Sequence, residues 1–74
     1  MILTIDIGNT NIVWGIFDNH KLVSSYRINS NLNSINETDF LRNYNINNVI
    51  ISSVVPNLTV KVDEICKMYF NIKP

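Results

Sequence analysis

Two apolar segments at the N-terminus are separated by a short polar turn, a pattern typical of a β-hairpin. The segments are residues 1–5 and 12–17, and the turn between them reads Asp6-Ile7-Gly8-Asn9-Thr10-Asn11. The turn has one carboxylate, one glycine and three small polar side chains, and it has no lysine. Glycine permits a positive φ and a close approach by an anion, and successive backbone N–H groups in a turn can bind one. The turn can therefore form a phosphate and metal site, in which Asp6 is a ligand of Mg²⁺, an ion that needs few protein ligands. The alternative from the residues alone is an Asp6 carboxylate that accepts turn N–H groups, as in an Asx turn.

The composition excludes several classes of partner. The chain has 74 residues, 46% of them hydrophobic, and a formal net charge of zero. A neutral balance offers no electrostatic attraction to nucleic acid or to an anionic membrane. No apolar run approaches the roughly 20 residues that span a bilayer. We therefore expect no nucleic-acid or membrane partner. The single cysteine, Cys66, cannot form an internal disulfide, which suggests a reducing, cytoplasmic location.

Hydrophobic periodicity predicts six elements in the order β-β-β-α-β-α. They are strands at residues 2–7, 11–18 and 21–28, a helix at about 35–44, a strand at 49–55 and a helix at about 58–70. Ser34 and Glu37 match the capping-box pattern at the start of the first helix, and residues 29–33 read as a loop. The strand at 49–55 is almost continuously apolar, which suits a strand covered on both faces.

This order predicts an α/β fold. Three antiparallel strands followed by a parallel β-α-β crossover form a mixed sheet with helices packed on it.

Two separate motifs resemble type III pantothenate kinases. The turn at residues 6–11, with Trp14-Gly15-Ile16-Phe17-Asp18 behind it, resembles the opening of that family, as does the segment 22–28. The segment Val49-Ile50-Ile51-Ser52-Ser53-Val54-Val55-Pro56-Asn57-Leu58-Thr59 is similar to the family's fourth strand and the start of its second helix. The visible departure is a shorter segment between Ile28 and Val49 than family members usually carry.

The resemblance implies a ribonuclease-H-like mixed sheet, as in the superfamily of acetate and sugar kinases, actin and chaperones. The strand order would be 3-2-1-4-5, and residues 1–74 would form the N-terminal part of a nucleotide-binding domain, without the fifth strand and the second domain. Such enzymes use ATP to phosphorylate pantothenate to 4′-phosphopantothenate in coenzyme A synthesis. They are homodimers that need a divalent metal, here Mg²⁺, and a monovalent cation, potassium or ammonium.

The resemblance also implies which residues bind the nucleotide. The nucleotide-binding segment would comprise Asp6, Ile7, Gly8, Asn9, Thr10, Asn11, Ile12 and Val13, with Asp6 as the metal ligand. We interpret Ile12 and Val13 chiefly as core residues. The catalytic base of the family belongs to a glycine-x-aspartate-arginine motif, and no Asp-Arg dipeptide occurs in this sequence. We therefore assign no catalytic residue and expect the 74 residues alone to be inactive.

Other polar residues have simpler interpretations. Asp18 and His20 read as turn residues, and Arg27 as part of a solvated strand face, although it might approach a substrate or a dimer partner. Ser52 and Ser53 are expected to end a strand near the nucleotide cleft. Cys66 lies on the apolar face of the last helix and is expected to be packed there.

Two further hypotheses remain beside the kinase. The first is a truncated, non-catalytic product that binds nucleotide, dimerises or has no function, including a role like that of a transcription accessory factor. A fragment of another sugar or acetate kinase is disfavoured by the match at residues 51–56. Because the strand at 49–55 would lie at an uncovered sheet edge, we expect the isolated chain to be marginally stable or self-associating.

Overall fold

A computed structural model describes residues 1–31 and 37–71 of the chain. The described elements follow one another as a three-stranded meander, a short 3₁₀ helix, a fourth strand and an α-helix. They are β1 (Ile2–Ile7), β2 (Asn11–Asp18), β3 (Lys21–Asn29), the 3₁₀ helix (Asp39–Asn43), β4 (Asn48–Ser53) and α1 (Pro56–Phe70). The predicted α/β class is confirmed. No helix in these two ranges is long and apolar enough to cross a membrane.

The four strands form one mixed sheet in the order β3-β2-β1-β4. β1 pairs antiparallel with β2 and parallel with β4, and β2 pairs antiparallel with β3. This matches the first four positions of the order expected for a ribonuclease-H-like sheet. β1, β3 and β4 therefore run in the same direction, and only β2 opposes them.

The hydrophobic core lies on one face of this sheet. Because strand side chains alternate between faces, Leu3, Ile5 and Ile7 of β1 all point to the same side. The helix α1 begins at Pro56, whose fixed φ suits the first helical turn. Its apolar stripe covers this face, together with Leu41 of the 3₁₀ helix. The fully buried side chains are Leu3, Ile5, Ile7, Ile12, Trp14, Ile16, Leu41, Val62 and Cys66.

The opposite face of the sheet is open in the described part of the chain. Leu22 is 51% exposed and Ile50 is 59% exposed. The prediction that residues 49–55 are covered on both faces is therefore wrong. The strand is also shorter than predicted, since β4 ends at Ser53 and Val54 is 68% exposed.

The predicted helix at 35–44 is present only as the five-residue 3₁₀ helix Asp39–Asn43. Residue 34 of the predicted capping box and the predicted start of the helix lie outside the described residues. The Leu41 N–H donates to the Thr38 carbonyl oxygen at 3.0 Å, the i to i+3 bond of a tight turn. Asparagines at 43, 45, 47 and 48 have low helix propensity and favour the extended chain that leads into β4.

Candidate phosphate-binding edge of the sheet

Three strands end at the same edge of the sheet. The carboxyl ends of β1, β3 and β4 meet there because these strands run in one direction. The turn between β1 and β2 and the start of α1 lie at this edge as well. In open α/β sheets, ligands bind in the crevice outside the carboxyl ends of the strands. This edge is therefore the candidate site.

The hairpin turn closes with a backbone hydrogen bond from the Gly8 N–H to the Asn11 carbonyl oxygen at 2.9 Å. Gly8 does not have a positive φ, so the turn does not use this freedom of glycine. A Cβ at Gly8 would lie 3.3 Å from the Asn11 oxygen, closer than most Cβ contacts. A side chain here would require the Asn11 carbonyl group to shift slightly, because the two arms of the turn approach closely.

Ser30, directly after β3, fixes the orientation of two peptide groups in the turn. Its hydroxyl donates to the Gly8 carbonyl oxygen at 2.6 Å, and its backbone N–H donates to the Thr10 carbonyl oxygen at 2.9 Å. In a trans peptide the N–H points away from the C=O, so the N–H groups of Asn9 and Asn11 face away from Ser30. Sequence reasoning placed Ser30 in a loop. Its only sequence signal is a small hydroxyl side chain just after a strand.

Asp6 lies on the open face, next to this turn. The strand register places it opposite Val13 on one side and Ser52 on the other. Its side chain is exposed, and no residue in the described ranges forms a hydrogen bond or an ion pair with its carboxylate. Those ranges also contain no group of three or more His, Cys, Asp and Glu side chains that could hold a metal ion. A metal here would be held by one carboxylate and water, as Mg²⁺ allows.

The residues predicted to bind the nucleotide separate into two groups. Asp6, Asn9 and Thr10 are exposed at the edge, and Gly8, Asn11 and Val13 are half-buried there. In contrast, the side chains of Ile7 and Ile12 are in the core. These two isoleucines hold the hairpin on the sheet, and only their backbones can contribute to a ligand site.

Ser53 ends β4 at this edge, as predicted, but its hydroxyl is used within the fold. It accepts the Val55 N–H at 3.0 Å and the Thr59 hydroxyl at 2.6 Å, which ties the strand to the first turn of α1. A cleft of about 580 Å³ lies beside β4 on the helix side. It is lined by Ile51, Ser53, Pro56, Thr59, Val60 and Asp63.

The remaining candidates match their simpler interpretations. Asp18 is the last residue of β2 and His20 lies in the turn that follows, where Asn19 has a φ of 57°. Both side chains are exposed at the opposite edge of the sheet. Cys66 is fully buried, as predicted. Burial, with a contribution from the nearby Asp63 carboxylate, raises the pKa of its thiol to about 11. Such a thiol is a packing group and not a nucleophile.

Comparison with known proteins identifies the family. The family model for type III pantothenate kinase matches residues 2–74. The type III pantothenate kinase of Geotalea uraniireducens is 38% identical, over 100% of this chain and 33% of the relative. That of Ehrlichia ruminantium is 41% identical, over 97% of this chain and 32% of the relative. That of Ehrlichia canis is 40% identical, over 100% of this chain and 32% of the relative.

These alignments also describe how the chain differs from its relatives. The chain spans about a third of the length of the curated relatives that it matches. The alignments extend over 83 to 89 positions, more than the 74 residues of the chain, so the relatives carry additional residues within the matched region. Because the family model covers nearly every residue, the chain belongs to the type III pantothenate kinase family.

Proposed function

We propose that residues 1–74 supply the ATP-phosphate-binding edge of a type III pantothenate kinase. In this reaction the hydroxyl oxygen of pantothenate bonds to the γ-phosphorus of ATP, and the bond from that phosphorus to the β,γ-bridging oxygen breaks. The products are 4′-phosphopantothenate and ADP. The hydroxyl proton goes to a base in the family's glycine-x-aspartate-arginine motif, which these residues do not contain.

The observation that carries the proposal is the Asp6 carboxylate beside the hairpin turn, which has no hydrogen-bond or ion-pair partner among the described residues. Phosphoryl transfer depends mainly on positioning the phosphates and on neutralising charge that develops on their oxygens. Backbone N–H groups of such a turn would suit phosphate oxygens. Asp6 suits Mg²⁺, which would offset the negative charge of the β- and γ-phosphates.

The finer parts of the proposal come from the family resemblance. They are a potassium or ammonium ion as monovalent cofactor, a homodimer and a cytoplasmic location. The cation is tested by kinase assays in sodium, potassium and ammonium salts of equal ionic strength. The dimer is tested by sedimentation analysis of the intact gene product.

The first experiment is the intact mass of the expressed product, with sequencing of its gene. Translation that continues past Pro74 into a glycine-x-aspartate-arginine segment supports a working kinase. A product that ends at Pro74 contradicts catalysis by this chain. It would instead favour the non-catalytic module, for which the open edge of β4 provides a pairing surface.

The second experiment is Asp6→Asn in the intact gene product, assayed by ADP release. We expect kcat/KM for ATP to fall at least about 100-fold, since a metal ion stabilises the transferring phosphoryl group by several kcal/mol. Asp18→Asn is the matched control, because it removes an exposed carboxylate from the opposite edge. Equal activity of the Asp6 and Asp18 variants would refute the assignment of Asp6.

A further inference from the structure

The open face of the sheet carries a cationic side chain in the same row as Asp6. The register pairs Arg27 of β3 with Val13 of β2, and Val13 with Asp6 of β1. Cross-strand partners project to the same face, so both charged side chains are on the open side. Adjacent strands are about 4.7–4.9 Å apart, which puts the Cα atoms of Arg27 and Asp6 about 10 Å apart.

The other described cations are paired or distant. Lys21 begins β3 at the opposite edge of the sheet. The ion pairs in residues 1–31 and 37–71 are Arg42 with Asp39, Lys61 with Glu64 and Lys67 with Asp63. Arg27 is exposed and has no hydrogen-bond or ion-pair partner for its guanidinium within the same ranges. Among the described residues, it is therefore the unpaired cation that lies near the hairpin turn.

Resting on the proposed function, we propose that Arg27 binds phosphate oxygens of the nucleotide across Val13 from Asp6. The guanidinium has five N–H donors in a planar fork that matches two phosphate oxygens at once. The hairpin turn has no lysine, so an arginine from the neighbouring strand would provide the cation that the turn lacks.

The spacing of the two charges supports this arrangement. Asp6 and Arg27 do not pair with each other, because Val13 and its strand lie between them. A metal ion on the carboxylate followed by a phosphate group would fill this gap with alternating charge. Val13, which lies between the two charged residues, has a short apolar side chain.

The test is calorimetric titration of the intact gene product and its variants with MgATP, MgADP and adenosine. For Arg27→Gln we expect about 10- to 100-fold weaker binding of MgATP and MgADP, the range for a charged hydrogen-bonded contact. Adenosine lacks phosphates, so its affinity should not change. Arg27→Lys keeps the positive charge but lacks the planar fork of N–H donors. Its affinity for MgATP should therefore lie between those of Arg27→Gln and the unsubstituted protein. Arg42→Gln, which removes an exposed arginine elsewhere, should bind like the unsubstituted protein.

The outcomes separate this inference from the proposed function. If Arg27→Gln binds MgATP within twofold of the unsubstituted protein, the inference is refuted and the proposed function stands. If Arg27→Gln lowers the affinity for adenosine as much as the affinity for MgATP, Arg27 acts only on the structure of the protein. The inference is then refuted as well. If the unsubstituted protein binds no MgATP, both fail. Should the glutamine variant not fold, Arg27→Lys replaces it. A lower affinity for MgATP with unchanged affinity for adenosine supports the inference, and an unchanged ratio of the two affinities refutes it.

Discussion

Gly15 lies at a point of the sheet where no other residue fits without displacing a neighbour. It is in β2, directly opposite Thr4 of β1. A Cβ at this position would lie 2.7 Å from the Thr4 Oγ1 atom and 3.3 Å from Cε1 of Phe17. Threonine is β-branched and has few χ1 alternatives in a strand, and its hydroxyl donates to the Gly15 carbonyl oxygen at 3.4 Å.

We therefore expect Gly15→Ala to be destabilising through Thr4. Overpacking of this kind costs about 1–3 kcal/mol of unfolding free energy. Because Gly15 has no positive φ, alanine fits its backbone conformation. Alanine also lowers the conformational entropy of the unfolded chain, which adds about 0.4–1 kcal/mol to the free energy of unfolding. The two ranges together give a net loss of about 0–2.6 kcal/mol. In a Thr4→Ala background the clash is absent, and the same Gly15→Ala change should stabilise the chain by about 0.4–1 kcal/mol.

The assay is urea unfolding of the four members of this double-mutant cycle. Trp14 is the single tryptophan of the chain and is fully buried, so its emission reports unfolding. The expected coupling between the two sites is about 1–3 kcal/mol. Thr4→Ser, which keeps the oxygen but can rotate it away, should give an intermediate value. Additive effects within about 0.5 kcal/mol would refute the steric account.

Two further predictions concern Cys66 and the edge strand. The pKa of the Cys66 thiol is raised from 9.0 to about 11, so ionisation favours the unfolded chain as pH rises through this interval. The unsubstituted chain should therefore lose more stability than Cys66→Ala between pH 8 and pH 11 in urea titrations, and parallel pH profiles would contradict this. Ile50→Lys places a charge on the exposed edge strand β4 and should reduce self-association of the isolated chain in sedimentation experiments. Met68→Lys, on exposed α1 surface, is its control, and equal association of both variants would contradict the role of the edge.

The fold could be predicted largely because its signals are local. The alternation of Leu3, Ile5 and Ile7 defined β1 to the residue, and the apolar stripe from Leu58 to Cys66 defined the last helix except for its first turn. The helix at 35–44 was mispredicted because three apolar positions at helical spacing outweighed the surrounding asparagines. Leu41 is the buried residue of the short 3₁₀ helix that forms there.

The candidate site was only partly predictable, for a different reason. Asp6 and the hairpin turn are contiguous in sequence, so their chemistry can be recognised from the pattern alone. The contact of Ser30 with Gly8, and the row that joins Arg27 to Asp6, depend on the register between β2 and β3. Register is a property of paired strands that no single segment encodes. The same holds for Ser52, which is beside Asp6 only because β4 pairs with β1.

The parallel pairing of β1 with β4 has a consequence for the order of folding. The meander β1-β2-β3 is formed by neighbouring segments, whereas β4 must return across most of the chain to reach β1. Contacts between distant segments form slowly because a long loop has to close first. The strand that carries Asp6 therefore gains its second neighbour late, and the carboxyl-end crevice is completed last. A nucleotide that binds there would act on this final docking step, slowing its reversal and leaving the early meander unaffected.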